Sequence, residues 1–400
     1  MEFDHILIGS GLSALAVAMG LPKRARTLVL TGGTEGGMSY YNRTNRVPSA
    51  FIGLGGLGKY WHGVVPMGLR NNFSNVSITD FIEFFSQFYP HTDIAQRIGK
   101  PWLFVPHRAI RPDKYWRRLL QERDRLQIRT IPATLLEDQI DRIQVIAGGE
   151  SYTCKFAWLV AGALHTPSLL ATSFGAPLAR QTADDHAIIY LGLIDQGRTC
   201  QYAIQQPHRD QGGMWLPLRY SGTPEALLTT RPARFDFKTL DSGIKRRTLF
   251  GLPTGNAVAR LLTAPSPGLV AEAFFNKFGL FPLSRFQSAY AQFPVTDAYG
   301  FSSATAELTP RNDAIVAAAR ALRSSLAIDG LIPSRQMELF IPGIHLHNTV
   351  NQQASKAVNV DVPGSRILIA DASTLTNIGP DHHSFKMMLS GFLRARSIAI

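Results

Sequence analysis

The chain closes with IGPDHHSFKMMLSGFLRARSIAI, in which His382 and His383 stand side by side behind Gly379, Pro380 and Asp381. An apolar, Met-rich segment with helical spacing follows them. His345 and His347 lie earlier in the chain, within HLHNT. Imidazole titrates near neutral pH, so it can accept a proton from a hydroxyl. A second imidazole can orient that hydroxyl and stabilise the alkoxide charge that develops on it. On an extended segment, residues two apart point to one face, so His345 and His347 share a side. A histidine pair at the mouth of a helix has two readings: a polar cap on a surface helix, or half of an active site. Spacing along the chain cannot bring 345 and 382 together; a strand over 367–371 must stand between them.

The N-terminus offers a second chemistry. Residues 3–9, FDHILIG, are an apolar run ending in glycine. Gly9-Ser10-Gly11-Leu12-Ser13-Ala14 follows, and then the helical segment LAVAMGL. This is the G-x-G-x-x-G/A pattern between a strand and a helix. Gly9 permits the tight turn, Gly11 lets a pyrophosphate approach the backbone, and Ala14 lets helix and strand pack closely. Ser13 falls in the first helical turn, where N–H groups point at the phosphates. The next strand, TLVLTGG, should end in the acid that holds the ribose hydroxyls. It ends in Thr31, with Glu35 a few residues on as a possible substitute.

A second glycine-rich loop reads GLGGLGKYWHG over 53–63. Backbone this bare suits close packing against a flat ligand, where no side chain can intrude. Together with the first motif, it resembles the glucose–methanol–choline (GMC) oxidoreductases, a family of FAD enzymes. The matching residues of the loop are Gly55, Gly56, Trp61 and Gly63. Three further blocks agree with that family in order. WLVAGALHTPSLL (158–170) is similar to its strand and turn beside the flavin nucleotide, carried here by Ala161 and Gly162. TADDH (182–186) is similar to its Asp-His step. ILIADAS (367–373) is similar to the last strand before the flavin ring, with Asp371 and Ala372 near the ribityl chain.

The resemblance implies what the histidines do. HLHNT puts His345 on the family's catalytic position, with Asn348 in place of the usual glycine and Thr349 matching. The Cys-Arg-Met continuation is absent; the chain reads Val350-Asn351-Gln352. Aligning HHSFKMML with the family's last helix puts His382 on the second catalytic position; sliding by one residue gives His383 instead. His347 stays a candidate. The implied reaction oxidises a CH–OH group: a base takes the hydroxyl proton and flavin N5 takes the hydride. Members that bind flavin covalently use a histidine just ahead of the Trp/Asn of the Gly-Gly loop. Tyr60 stands there, so dissociable, non-covalent FAD is expected. His5, His62, His107, His165 and His208 read as structural or surface residues. No metal is implied.

The expected fold class is α/β. A discontinuous Rossmann-like FAD-binding domain comprises residues 1–75, 131–186 and 341–400. An α+β substrate domain on an antiparallel sheet comprises 76–130 and 187–340. DKYWRRLLQERDRLQ reads as an amphipathic, charged helix. TLLEDQIDRIQVIAGG reads as a hairpin turning at Gly148-Gly149, ALLTTRPARFDFKTL as sheet, and AIVAAARALRSSLAI as helix. The substrate region mixes Tyr202, Trp215, Tyr220, Phe235 and Phe237 with Gln201, Gln205, Gln206 and Arg219. Aromatic faces with amide and guanidinium donors suit a sugar-like alcohol, although aromatics at strand spacing more commonly form core.

The remaining properties bound the function. The 400 residues carry a formal net charge of +12. No helix-turn-helix, zinc-finger or RNP signature accompanies that charge, so nucleic acid is not an expected partner. An anionic or phosphate-bearing substrate, or peripheral contact with an anionic membrane surface, would suit it. The start MEFDHILIGSG lacks the regions of a signal peptide, and no long apolar stretch predicts a spanning helix. Two cysteines make no disulfide framework, which suits a reducing, cytoplasmic setting. The electron acceptor is open. Three rival readings are a redox-neutral flavin isomerase or epimerase of the same fold, a non-catalytic flavoprotein scaffold, and an NAD enzyme using the first motif alone.

Overall fold

The computed structural model describes residues 2–32, 37–42, 47–61, 63–68, 76–195, 208–221, 226–232, 286–301, 308–310, 317, 331–333, 340–342, 345–376 and 378–398. In chain order the strands are β1 (Glu2–Ile8), β2 (Thr27–Leu30), β3 (Gly37–Asn42), β4 (Val47–Ile52), β5 (Val65–Pro66), β6 (Trp102–Pro106) and β7 (Leu126–Arg129). There follow β8 (Ala133–Asp138), β9 (Ile143–Ala147), β10 (Glu150–Leu159), β11 (Thr182–Asp195), β12 (His208–Arg209), β13 (Gly213–Ser221) and β14 (Ala226–Pro232). The last are β15 (Phe286–Phe301), β16 (Leu308–Pro310), β17 (Leu331–Pro333), β18 (Phe340–Pro342) and β19 (Ile367–Ile369). The helices are α1 (Leu12–Gly20), α2 (Ile78–Ser86), α3 (Pro112–Glu122), α4 (Gly162–Phe174), α5 (Gln352–Ala357) and α6 (Ser384–Ser397).

The first sheet has a parallel centre. Its order is β7-β2-β1-β10-β9-β8, with β19 also on β10. β7, β2, β1, β10 and β19 run parallel, while β9 and β8 add an antiparallel flap. β1 is buried along most of its length and ends in the apolar run Ile6–Ile8, as a strand covered on both faces should. Gly148 and Gly149, both at positive φ, turn β9 into β10 as expected. A further turn joins β8 to β9, so the segment is a three-stranded meander rather than one hairpin.

The second sheet is antiparallel, in the order β17-β11-β15-β14-β13-β6-β5, with β12, β16 and β18 on its members. Its spine is the long pairing of β11 with β15. The combination of a parallel nucleotide-type sheet and an antiparallel sheet is the α/β class expected from the sequence.

Helix α1 is apolar all round and almost wholly buried, between the parallel sheet and α6. α2 is capped by Ser77, whose Oγ accepts from the Asp80 N–H at 3.0 Å. It lays Phe84 against Phe385 and Phe392 of α6, with ring centroids 5.3 and 4.9 Å apart. α3 starts on Pro112 and buries Trp116 and Leu119. The Trp116 indole N–H donates to the carbonyl of Ser10 at 2.8 Å, which pins the first glycine turn.

Residues 76–130 make contacts with both sheets. Residues 76–130 do not belong to the antiparallel sheet as a unit. α2 and α3 pack on the parallel-sheet side and β7 pairs with β2; only β6 joins the second sheet, through β13 and β5. The apolar stripes of α2 and α3 need a partner, and α1 with α6 supplies it. In the other direction, β11 begins at Thr182, so His186 rides on the antiparallel sheet and not on the nucleotide-type domain. The helix expected over AIVAAARALRSSLAI lies outside the described residues, apart from residue 317.

Candidate active site

The loop between β1 and α1 is built for a phosphate. Gly9 has φ +116°, and a Cβ there would stand 2.3 Å from the Val160 carbonyl oxygen, so only glycine lets the turn pack on the end of β10. Gly11 differs: a Cβ there would meet nothing within 4 Å. Gly11 is also the N-cap of α1, has no side chain to cap the helix, and no acid occupies the first turn. The leading N–H groups are therefore left for a ligand. Gly55 donates its N–H to the Ser10 carbonyl at 3.1 Å, which lays the second glycine loop over the first. Gly56 passes so close that its Cβ would be 3.5 Å from Gly11 Cα. A Cβ on Gly162, at the start of α4, would likewise meet nothing.

Other expected cofactor residues prove to act through the backbone or by packing. Ser13 is buried and turns its hydroxyl to Met387 Sδ, 3.6 Å away. Ala14 is buried against the sheet side, Trp61 packs half-buried on the main core, and the Gly63 carbonyl accepts from Tyr89 at 3.5 Å. Thr31, where an acid was expected, is buried and shares a 2.8 Å hydrogen bond with the Ser10 hydroxyl. Glu35 and His62 lie outside the described residues, as does the Tyr60 side chain.

Asp371 is also engaged by protein. One carboxylate oxygen accepts from Gly162 N (2.8 Å) and Thr166 Oγ (2.5 Å), and the other from Ser373 N (2.9 Å) and Ser373 Oγ (2.6 Å). With these donors it braces the start of α4. Burial pushes its pKa up, against the pull of those donors. Ala161 caps α4 without a side-chain bond, and the Ala372 carbonyl accepts from Asn348 N at 3.1 Å. Thr349 and Val350 both donate to the Ser373 carbonyl, and Thr349 Oγ donates to the Ala163 carbonyl at 2.5 Å. The HLHNT segment is thus stitched to the end of β19 and the start of α4.

The fold brings the histidines together. The rings of His345 and His382 have centroids 5.7 Å apart with planes at 87°. His383 lies 5.3 Å from His345 and 5.4 Å from His347. His186, singled out in sequence only as part of the Asp-His block, sits 5.9, 5.5 and 5.6 Å from His345, His347 and His383. Five imidazoles therefore share one chamber. His186, His347 and His383 are buried, while His345 and His382 are half-buried. His345 and His347 do share a face, as their spacing predicted.

The tautomers follow from the partners. His347 Nδ1–H donates to the His345 carbonyl at 2.8 Å, and His186 Nε2–H donates to the Gly379 carbonyl at 2.6 Å. His345 Nδ1 is buried, which leaves Nε2 as the nitrogen that can reach a substrate. Next to the pair, Lys386 and Asp381 form a buried ion pair at 3.2 Å that ties the first turn of α6 to the histidine loop. Nothing in the apolar look of that helix announced it. Among the described residues, no group of three or more His, Cys, Asp or Glu is arranged to hold a metal ion.

Burial, followed by the neighbouring imidazoles, holds His186 and His383 far below the ordinary histidine range. Burial also lowers His347. His5, stacked on Phe156, is pushed down by burial to about 4. Each of these binds its proton more weakly folded than unfolded. Their contribution to stability is intact above the unfolded value near 6.5 and is lost as pH falls below it. Unfolding free energy should accordingly drop between pH 7 and pH 5, by up to about 1.4 kcal/mol per pH unit for each such histidine. Denaturant titrations at pH 7.5, 6.5 and 5.5 check this, with His383→Gln expected to flatten the slope. A pH-independent midpoint would contradict the buried neutral cluster.

Trp215, counted among possible sugar-stacking residues, is fully buried, 4.8 Å from Phe104, with the Arg97 guanidinium over its ring. It is core, because its strand position faces the layer beneath. Tyr202, Phe235, Phe237, Gln201, Gln205 and Gln206 lie outside the described residues, as do the side chains of Arg219 and Tyr220. His5 is structural and His107 is exposed. Among the described residues, no helix is long and apolar enough to cross a membrane.

No protein-family model and no curated protein sequence matches the chain. Solved structures do. Pyridoxine 4-oxidase from Mesorbium loti matches over 98% of this chain and 98% of its own, at 13% identity and a TM-score of 0.51. A formate oxidase variant from Aspergillus oryzae RIB40, whose structure concerns FAD modification, matches over 98% and 97%, at 10% identity and a TM-score of 0.54. The chain therefore has the fold of pyridoxine 4-oxidase and formate oxidase, the fold that its resemblance to the GMC oxidoreductases implies.

Proposed function

We propose that this chain is an FAD-dependent oxidoreductase that oxidises a CH–OH group of a small-molecule alcohol. The carrying observation is the meeting of His345 and His382, from segments far apart in sequence, in a molecule that also holds an uncapped nucleotide turn. The residues fit FAD. Gly11 and the first N–H groups of α1 would take the pyrophosphate, with the Gly55-Gly56 loop over it and Gly162 bare on the opposite side. Bound FAD would supply a hydride acceptor for the alcohol carbon. No histidine immediately precedes Trp61, which supports non-covalent binding.

The protein residues handle the proton. His345 Nε2 takes it from the substrate hydroxyl as the C–H bond gives up its hydride, so the alcohol leaves as a carbonyl compound. His382, half-exposed beside it, hydrogen-bonds the same oxygen and stabilises its developing charge. His383 is buried against His345, His347 and His186, which supports His382 rather than His383 as the partner. Burial and the neighbouring imidazoles hold the inner rings of His186 and His383 well below the ordinary histidine range, which keeps a second positive charge out of the chamber. Both matched folds belong to oxidases, which supports oxygen as the acceptor.

The test begins with the visible spectrum of the purified protein and of its supernatant after denaturation. A flavin spectrum released into the supernatant is expected. Anaerobic bleaching by pyridoxine, glucose, glycerol 3-phosphate or benzyl alcohol then identifies the substrate class. A protein that takes up no flavin from excess FAD would overturn the proposal. Turnover of an alcohol with no external acceptor would instead mean isomerisation.

A further inference from the structure

We infer that the antiparallel sheet sets the spacing of the histidine pair: Asp185, His186 and Gln292 are positioning residues for His345 and His382. The inference rests on the oxidoreductase reading for its kinetic consequence, but not for its geometry. Asp185 is fully buried near the start of β11. One oxygen accepts the backbone N–H of His345 at 2.8 Å and that of His186 at 2.7 Å, and the other faces the Tyr299 hydroxyl at 3.3 Å. One carboxylate therefore locates the main chain at both His345 and His186.

The second grip is on the opposite side of the chamber. His186 donates to the Gly379 carbonyl at 2.6 Å, and Gln292 donates to the Pro380 carbonyl at 2.7 Å. Both side chains are buried. They rise from β11 and β15, which pair with each other antiparallel. Their acceptors are consecutive carbonyls in the loop that carries His382, and Gly379 bends that loop at φ +63°. The loop's other anchor, Asp381 to Lys386, belongs to its own helix and carries no information about β11 or β15. The β11–β15 pair thus holds both the HLHNT segment, through Asp185, and the terminal loop, through His186 and Gln292, alongside the bonds that tie HLHNT to residues 372–373. Buried hydrogen bonds of this kind hold geometry firmly because the groups have no water to turn to.

Two substitutions separate this role from general stability. Gln292→Met keeps the side-chain bulk and removes the donor. Gln292→Glu can donate to Pro380 only while it is protonated. In protein labelled with 15N-histidine, Gln292→Met should move the imidazole resonances of His382 and His383 and leave His5 alone. With the best of the four alcohols above, it should slow flavin reduction about ten- to a hundredfold, with KM little changed. Gln292→Glu should match the wild type at low pH and fall to the Gln292→Met level as the glutamate ionises. Unmoved resonances in Gln292→Met, or equal losses in both variants at every pH, would overturn the inference. Should Gln292→Met fail to fold, the low- and high-pH states of Gln292→Glu make the same comparison within one protein. A wild type that reduces no flavin would sink the oxidoreductase reading alone, and the resonances would still decide the positioning.

Discussion

His345→Ala is expected to leave FAD bound and to slow its reduction by alcohol by roughly two to four decades, the usual range for losing an acid–base group. The flavin should stay because the proposed pyrophosphate site lies on the glycine turns and not on this side chain. The loss should be large because no other ring can take over the proton. His186 and His383 are buried and held neutral, and the Nδ1–H of His347 is committed to the His345 carbonyl. His382 is the remaining imidazole with access, and its ring stands 5.7 Å from the one removed. Anaerobic stopped-flow bleaching measures the step directly. A slow rate with unchanged flavin content places His345 in the chemistry. A normal rate would take His345 out of the mechanism and leave His382 as the base.

How much of this could be read from the chain depends on the distance over which each interaction acts. The first glycine turn was legible because its constraints are local. Strand, turn and helix lie within twenty residues. The final histidines were legible as a pair by their adjacency and by the resemblance. His186 was not identified as a member of the chamber, since its partners come from residues 345, 347, 379 and 383 and no spacing rule joins them. The same holds for Gln292, an ordinary polar residue on a strand until its amide is seen against Pro380. The signal available for His186 was the TADDH block itself, which marked a location without a role. Lys386 was hidden for another reason: a lysine within SFKMML reads as a solvent-facing turn of helix, and only burial beside Asp381 reveals it as an ion pair.

Asp371 and residues 76–130 make contacts that the sequence did not announce. A motif places a carboxylate near a cofactor but does not say which donors reach it first. Here Gly162, Thr166 and Ser373 do, leaving the acid to fix the position of the turn. A charged amphipathic helix announces that one face will be buried without naming the surface that buries it. For α3 that surface is α1, because Trp116 must reach the Ser10 carbonyl.

The bare surface at Gly11 leads to the second large effect. Gly11→Val is expected to fold normally and to lose FAD, with affinity weakened at least about a hundredfold, or about 2.8 kcal/mol. The backbone at Gly11 is extended, at φ −71° and ψ −165°, which valine adopts without strain. Among the described residues a Cβ there meets no atom within 4 Å beyond its chain neighbours, so the side chain starts into open space. What it would meet is the pyrophosphate, in the space beside the uncapped N–H groups of α1. Thermal unfolding distinguishes the two consequences. Without FAD the variant and the wild type should melt together, within about 0.5 kcal/mol. With excess FAD the wild type should gain stability by mass action and the variant should not. Gly9 supplies the contrast: a methyl group there collides with the Val160 carbonyl, so Gly9→Ala should lower the FAD-free melting point itself. If Gly11→Val retains the full FAD-dependent shift, the pyrophosphate does not lie on this turn. If its FAD-free melting point falls as well, the open face at Gly11 serves the fold rather than a ligand.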